Sequence, residues 1–269
     1  MFGHTFYHGT IRRYVVLFGT LFNDIHITHP DTTRNQTRTI KVPVSYGPKE
    51  KVLARLTADP NLDRMPAIVV PRISFEITDV SYASDRKLTT VGKKTVKDTT
   101  NPDKLKYQYN PVPYDINFAL SVIAKNTEDA SRIVEQILPF FTPDWTATLE
   151  IIPEMDVIMD IPIVLNTVSV SDTYEGDFEQ RRAITWDMRF TLKGYLFGPV
   201  RKSGIIKVAD VNFFDGLGPV EGDSALANID IRPGLLANGS PTTNAELTVD
   251  TSQIEADDNY AYIITKTDY

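Results

Sequence analysis

The sequence contains no cysteine. Disulfide bonds, thiolate metal sites and cysteine nucleophiles are therefore excluded. No apolar run approaches the ~20 residues that a membrane-spanning helix needs. The first residues, MFGHTFYHGTIRRY, lack the apolar centre of a secretory signal. These absences fit a soluble protein of the cytoplasm, or of a particle assembled there. Histidine is scarce. His4 and His8 precede the first helical stretch, and His26 and His29 fall on opposite faces of a strand, so surface positions suit them better than a metal site. Gly92-Lys93-Lys94-Thr95 lacks the earlier glycine of a phosphate-binding loop. Gly216, Gly218 and Gly222 lack the spacing of a dinucleotide fingerprint. Glu150, Glu154, Asp156 and Asp160 form an acidic run without the glycine and spacing of an EF-hand, and read as a solvated turn. No nucleophile elbow and no internal repeat is present. An enzyme whose site assembles from scattered carboxylates stays open at this stage.

The chain does have enough apolar residues for a sizeable core, 42% over 269 positions, in one large domain or two small ones. Its organising stretch is Tyr107 to Trp145. Ile116, Phe118, Leu120 and Val122 alternate with Asp115, Asn117, Ala119 and Ser121, the period of a half-buried strand. The period then changes. Ala130, Ile133, Val134, Ile137 and Leu138 recur as the stripe of an amphipathic helix, with Asn126 as cap, Glu128 and Asp129 in the first turn, and Pro139 as terminator.

Ahead of this pair, Ile11, Tyr14, Val15, Phe18, Leu21, Phe22 and Ile25 make a second helical stripe, with Thr10 as its cap. Strands are expected near Ile25–Thr28, Thr39–Ser45 and Ile68–Tyr82, the last with a bulge near Thr78–Asp79 that reconciles its two phases. Lys49 to Leu56 reads as a short helix. Beyond the central pair, Ala147–Ile152 is a strand. Ile161–Val170, which changes phase near Asn166, forms a long antiparallel hairpin with the alternating run Ile184, Trp186, Met188, Phe190 and Leu192. The aromatic residues read mainly as core.

Charge is unevenly placed. The net −7 resides almost wholly after residue 200, where five basic residues stand against eleven acidic ones, a net of −6. Between Arg86 and Lys106 seven bases face two acids, a local +5, and this stretch reads as a long loop or protruding hairpin. The fold class expected is α+β: a mostly antiparallel, mixed β-sheet with packed helices, long hairpin protrusions and an irregular C-terminal tail. Residues 1–199 would form the core domain, with 86–106 inserted in it. Residues 200–269 would form an irregular acidic extension, and the part after Phe214 would be dispensable for folding. Candidate partner-contact residues are Arg12, Arg13, Arg86, Lys87, Lys93, Lys94 and Lys97. The alternative function is a nucleic-acid-binding module using 86–106, with Tyr107 and Tyr109 stacking on bases.

Six segments, FYHGTIRRYVVLFGTLFNDIHI, VPVSYGPKEKVLARL, PRISFEITDVSY, QYNPVPYDI, RIVEQILPFFTP and RRAITWDMRFTLKGYLF, carry a resemblance. In that order, over roughly residues 1–214, the chain resembles the tail sheath stabiliser and tail completion proteins of T4-type contractile-tailed bacteriophages. The resemblance implies a structural virion protein without catalytic residues or cofactor. It implies a six-fold ring at the head-proximal end of the tail, in contact with the sheath protein, the tube terminator and the neck proteins. DNA would meet such a ring only in passage. The location implied is the virion tail, and the host cytoplasm during assembly.

Overall fold

The computed structural model describes residues 5–31, 36–57, 70–173, 183–214 and 225–268. The chain begins with helix α1 (Thr10–Leu21), strands β1 (His26–Asp31), β2 (Gln36–Lys41) and β3 (Val44–Tyr46), and helix α2 (Lys49–Thr57). Then come β4 (Arg72–Tyr82), β5 (Lys93–Lys97), β6 (Lys104–Tyr109), β7 (Val112–Ala124) and helix α3 (Thr127–Ile137). The later strands are β8 (Asp144–Ile152), β9 (Val157–Thr173), β10 (Ala183–Leu196), β11 (Arg201–Gly204), β12 (Ala209–Phe213), β13 (Ala227–Gly234) and β14 (Ala261–Asp268). None of the described helices is long and apolar enough to cross a membrane. The expected turn at 174–182, His4 and the glycines at 216, 218 and 222 lie outside the described residues.

Two compact units are formed. The first comprises Met1–Thr89 and Pro111–Phe197. Its main sheet has six strands ordered β3-β4-β7-β10-β9-β8, with β3·β4 parallel and every other pair antiparallel, and β1 and β2 form a separate antiparallel pair. This is the mixed, mostly antiparallel sheet with packed helices that the sequence pattern predicts. Both phase changes are bulges. The β4·β7 register slips at Thr78, between Ile77 and Asp79, and the β9·β10 register slips at Asn166.

The core of this unit is aromatic. Phe18 of α1 is fully buried and lies flat on Phe118 of β7, ring centroids 4.3 Å apart, while Phe22, Phe75 and Phe190 surround it at 5.1–5.4 Å. Offset and edge contacts of this kind add to the burial of each ring. Gly19 is in the helix for a reason of space, since a Cβ there would lie 2.8 Å from the Phe75 ring. The helix begins differently from expectation. Gly9, in the left-handed region at φ 66°, is the N-cap, and Thr10 is already helical and buried. The predicted stripe also loses Ile11, which is exposed.

Helix α3 follows its pattern closely. Ala130, Ile133, Val134 and Ile137 are buried, and the helix gives way at Leu138 to a 3₁₀ turn that contains Pro139. Ala130 meets Ala124 and Ile184, on the same sheet face that Phe18 covers. On the opposite face, Val52 and Leu53 of α2 pack at Ile123.

The second unit comprises Thr90–Asn110 and Gly198–Tyr269. Residues 90–110 thus group with the chain after 197, whereas the sequence reading inserts 86–106 into the first domain. The expectation of an irregular tail also gives way. The described residues between 201 and 268 carry four strands, β11 beside β6 in the sheet β11-β6-β5, and the separate sheet β12-β13-β14. The tail's described strands are only four to eight residues long. Their period-two signal is therefore diluted in any longer window.

Candidate functional site

The seven candidate contact residues fall in three separate settings. Arg13 sits on the first turns of α1 and points toward edge strand β8. Its guanidinium donates to the backbone oxygens of Glu150 (2.7 Å) and Ile151 (2.8 Å), so it pins the helix to the sheet. Arg12, one position earlier, faces outward, and its side chain has no partner among the described residues. It borders a hollow of about 520 Å³ between α1 and Leu149. Along the same helix Ile11 and Val16 are exposed, with Tyr7 83% exposed just before it. This is an apolar strip beside a positive charge that has no partner among the described residues.

Arg86 is structural. It ion-pairs with Asp115 at 2.5 Å and lies 5.2 Å over the Tyr195 ring. Tyr195 is in turn held by Tyr14, whose hydroxyl donates to the Tyr195 oxygen (2.8 Å) and accepts from its amide (2.9 Å). Burial, partly offset by the Tyr195 backbone bond, pushes the Tyr14 hydroxyl up to about 12. Lys87, next to Arg86, is exposed, with no partner among the described residues.

The remaining three lie on β5 of the second unit, as part of a paired sheet. Lys93 sits 5.1 Å from each of the Tyr107 and Tyr109 rings, a double cation–π contact. Lys94 has interactions of its own. Lys97 ion-pairs with Glu255 and with Asp257 (3.1 Å), which raise its pKa in that order. Asp98 at the end of β5 is 1% exposed. It is met by Lys202 (2.7 Å), Lys106 (3.4 Å) and the Thr100 amide (3.2 Å). Lys202, then the Thr100 amide, hold its carboxyl down to about 2 against the opposing effect of burial. Arg86 and Lys97 of this stretch are thus paired with acids that lie far away in sequence, while its own acids Asp98 and Asp103 are met by the distant Lys202 and Lys207.

These contacts have measurable consequences. Lys97→Glu places a third carboxylate beside Glu255 and Asp257, so it should lower the melting temperature clearly more than Lys93→Glu, which forfeits cation–π contacts worth about 0.5–1 kcal/mol each at exposed sites. The triple change of Lys93, Lys94 and Lys97 to glutamate should therefore destabilise the protein, and equal melting of triple mutant and wild type would contradict this pairing. Asp98 supplies a pH dependence. Its folded pKa of about 2 lies below the ordinary ~3.9. The folded protein therefore binds the proton less readily than the unfolded one. The resulting stabilisation is complete above pH ~4 and is lost as pH falls from 4 toward 2. In urea titrations over that range, Asp98→Asn should flatten the acid limb; an unchanged limb would remove Asp98 as its source.

One surface escaped the sequence reading. In β12-β13-β14, Val211 faces Ile229 in register, Ala209 faces Ile231, which faces Ile264 on its other side, and Phe213 faces Ala227. Val211, Phe213, Tyr262 and Ile264 are all exposed on this face, while the other carries the polar ladder Asp210–Asn228–Asn212. The alternations Val211/Phe213, Ile229/Ile231 and Tyr262/Ile264 would have revealed it at strand-length windows. Among the described residues no three His, Asp or Glu side chains gather where they could hold a metal ion.

Exposed apolar strips beside internally paired charges define a class, proteins built to lie against other chains. Comparison with known proteins gives the family. A family model described as the T4-like virus Myoviridae tail sheath stabiliser matches residues 5–260, and the chain belongs to this family of structural phage tail proteins. It is also 29% identical over 249 residues to the tail completion protein gp15 of Enterobacteria phage T4, covering 87% of this chain and 90% of that relative.

Proposed function

We propose that this protein forms a closed ring of six subunits at the head-proximal end of a contractile phage tail. There it stabilises the last ring of sheath, completes the tail and joins it to the neck. The observation that carries this reading is the family match across residues 5–260. The partners are further copies of itself, the tail sheath protein, the tube terminator and the neck proteins, with DNA only in passage. Its place is the virion tail, and the host cytoplasm during assembly.

A cyclic ring needs two unlike patches on each subunit. The apolar strip of α1 around Arg12 and the apolar face of β12-β13-β14 are two such patches, and they are the surfaces proposed here for subunit contact. Arg12 and Lys87, exposed and unpaired among the described residues, are the proposed charged contacts. Arg13, Arg86 and Lys97 support them from within each unit. Each contact should bury more than about 1,000 Å² if the ring is stable alone, and less if the sheath completes it. Tails assembled without this protein should have sheaths that shorten or come apart from the head-proximal end. Intact, full-length sheaths in its absence would contradict the proposal.

A further inference from the structure

The sheet face away from α1 and α3 contains a trough that none of the contacts above uses. Beyond α2 its floor is made of small side chains. Ser74, Ser121, Asp187 and Ser169 stand side by side on β4, β7, β10 and β9, and Ala119 occupies the next row. The hollow above them measures about 340 Å³. Its polar groups are partly fixed from within. Ser121 donates to Asp187 Oδ1 (2.5 Å), and Lys49 of α2 ion-pairs with Asp187 Oδ2 (2.6 Å).

Ser74 is the exception. It lines the hollow, is 1% exposed, and its hydroxyl finds no partner within the described protein. A buried hydroxyl left in that state is costly, and such groups are rare unless something completes them. Glu76 and Arg189 flank Ala119 on either side in the next row. They stand two strand spacings apart, about 10 Å, and neither has an ion-pair partner among the described residues. In an extended chain, residues two and four positions apart share a face at about 7 and 13 Å, which bracket this distance.

We propose that this trough docks an extended segment of a partner protein that carries a basic and an acidic side chain on one face, two or four residues apart. The basic group pairs with Glu76 and the acidic group with Arg189. The small floor lets the segment's backbone come close, and one of its polar groups completes Ser74. The choice of a protein chain as occupant rests on the assembly reading above. The spacing and polarity of the segment rest on the trough alone.

The test uses full-length protein produced with the phage. Wild type and variant are co-expressed in equal amounts, and their ratio in purified tails is read by mass spectrometry. Glu76→Lys and Arg189→Glu, both away from the core, should each be under-represented by about tenfold, the loss that follows from breaking a charge-assisted pair of about 1.4 kcal/mol. Ser74→Ala should be under-represented as well, yet melt at or above the wild-type temperature because an unpaired buried hydroxyl has been removed. A photo-crosslinking residue in place of Thr78, at the trough's margin, should trap a partner peptide with the stated spacing of charges. Equal incorporation of all three variants would overturn the proposal, as would crosslinks to peptides lacking that spacing or to none. Absence of wild-type protein from tails would instead overturn the assembly reading, so the two failures are distinguishable.

Discussion

Ile137→Asp should prevent the first unit from folding. Ile137 is 2% exposed on the buried stripe of α3, with Ala130, Ile133 and Val134 beside it. The change deletes an aliphatic side chain whose burial contributes roughly 1.5–3 kcal/mol. It also places a carboxylate among apolar groups, where an unpaired charge costs several kcal/mol more. Against a total stability of about 5–15 kcal/mol, that sum is enough to unfold many domains. Insoluble protein, or loss of a cooperative melt, is the expected outcome. Soluble Ile137→Asp protein with a normal melting curve would show that α3 does not cover the sheet as described.

The second large effect concerns the C-terminal strands. Ending the chain after Phe213 removes β13 and β14, which are the partners of β12 and of each other. It also removes Glu255 and Asp257, the acids that hold Lys97. The sequence alone suggests that this truncation is harmless; the structure requires the opposite. The truncated protein should lose the strand signal of the second unit and expose β12, with Val211 and Phe213, as an unpaired edge prone to aggregation. Amide exchange resolves the effect best, because protection in β5, β6 and β11 should fall while protection in α3 and β7 persists. Unchanged protection throughout would restore the view of a dispensable tail.

How much could be read in advance follows from the length of each element. The β7–α3 pair was legible because thirteen and eleven residues carry an uninterrupted period. The bulges at Thr78 and Asn166 were legible because a side chain that changes face leaves a phase shift on both sides of itself. The strands of the second unit were not, since each is short and its partners are distant; β6 pairs with β11 almost a hundred residues later. Charge pairing was hidden for the same reason. Window sums over 86–106 see the lysines, but not Glu255, Asp257 or Lys202, which meet their partners only in the folded chain. The candidate contact residues were legible only as charges. Separating exposed Arg12 and Lys87 from Arg13, Arg86 and Lys97, which serve the fold, took side-chain geometry. The trough around Ser74 left no trace in the sequence, because serines on neighbouring strands are brought together only by register.

The proposal that this protein ends the sheath as a ring is tested most directly by imaging purified tails at a resolution that separates subunits, with the protein tagged at its C-terminus. The account predicts six copies, related by rotation about the tail axis, as one ring seated on the head-proximal end of the sheath. A tag found elsewhere on the particle, or a ring there with any other number of copies, would contradict it.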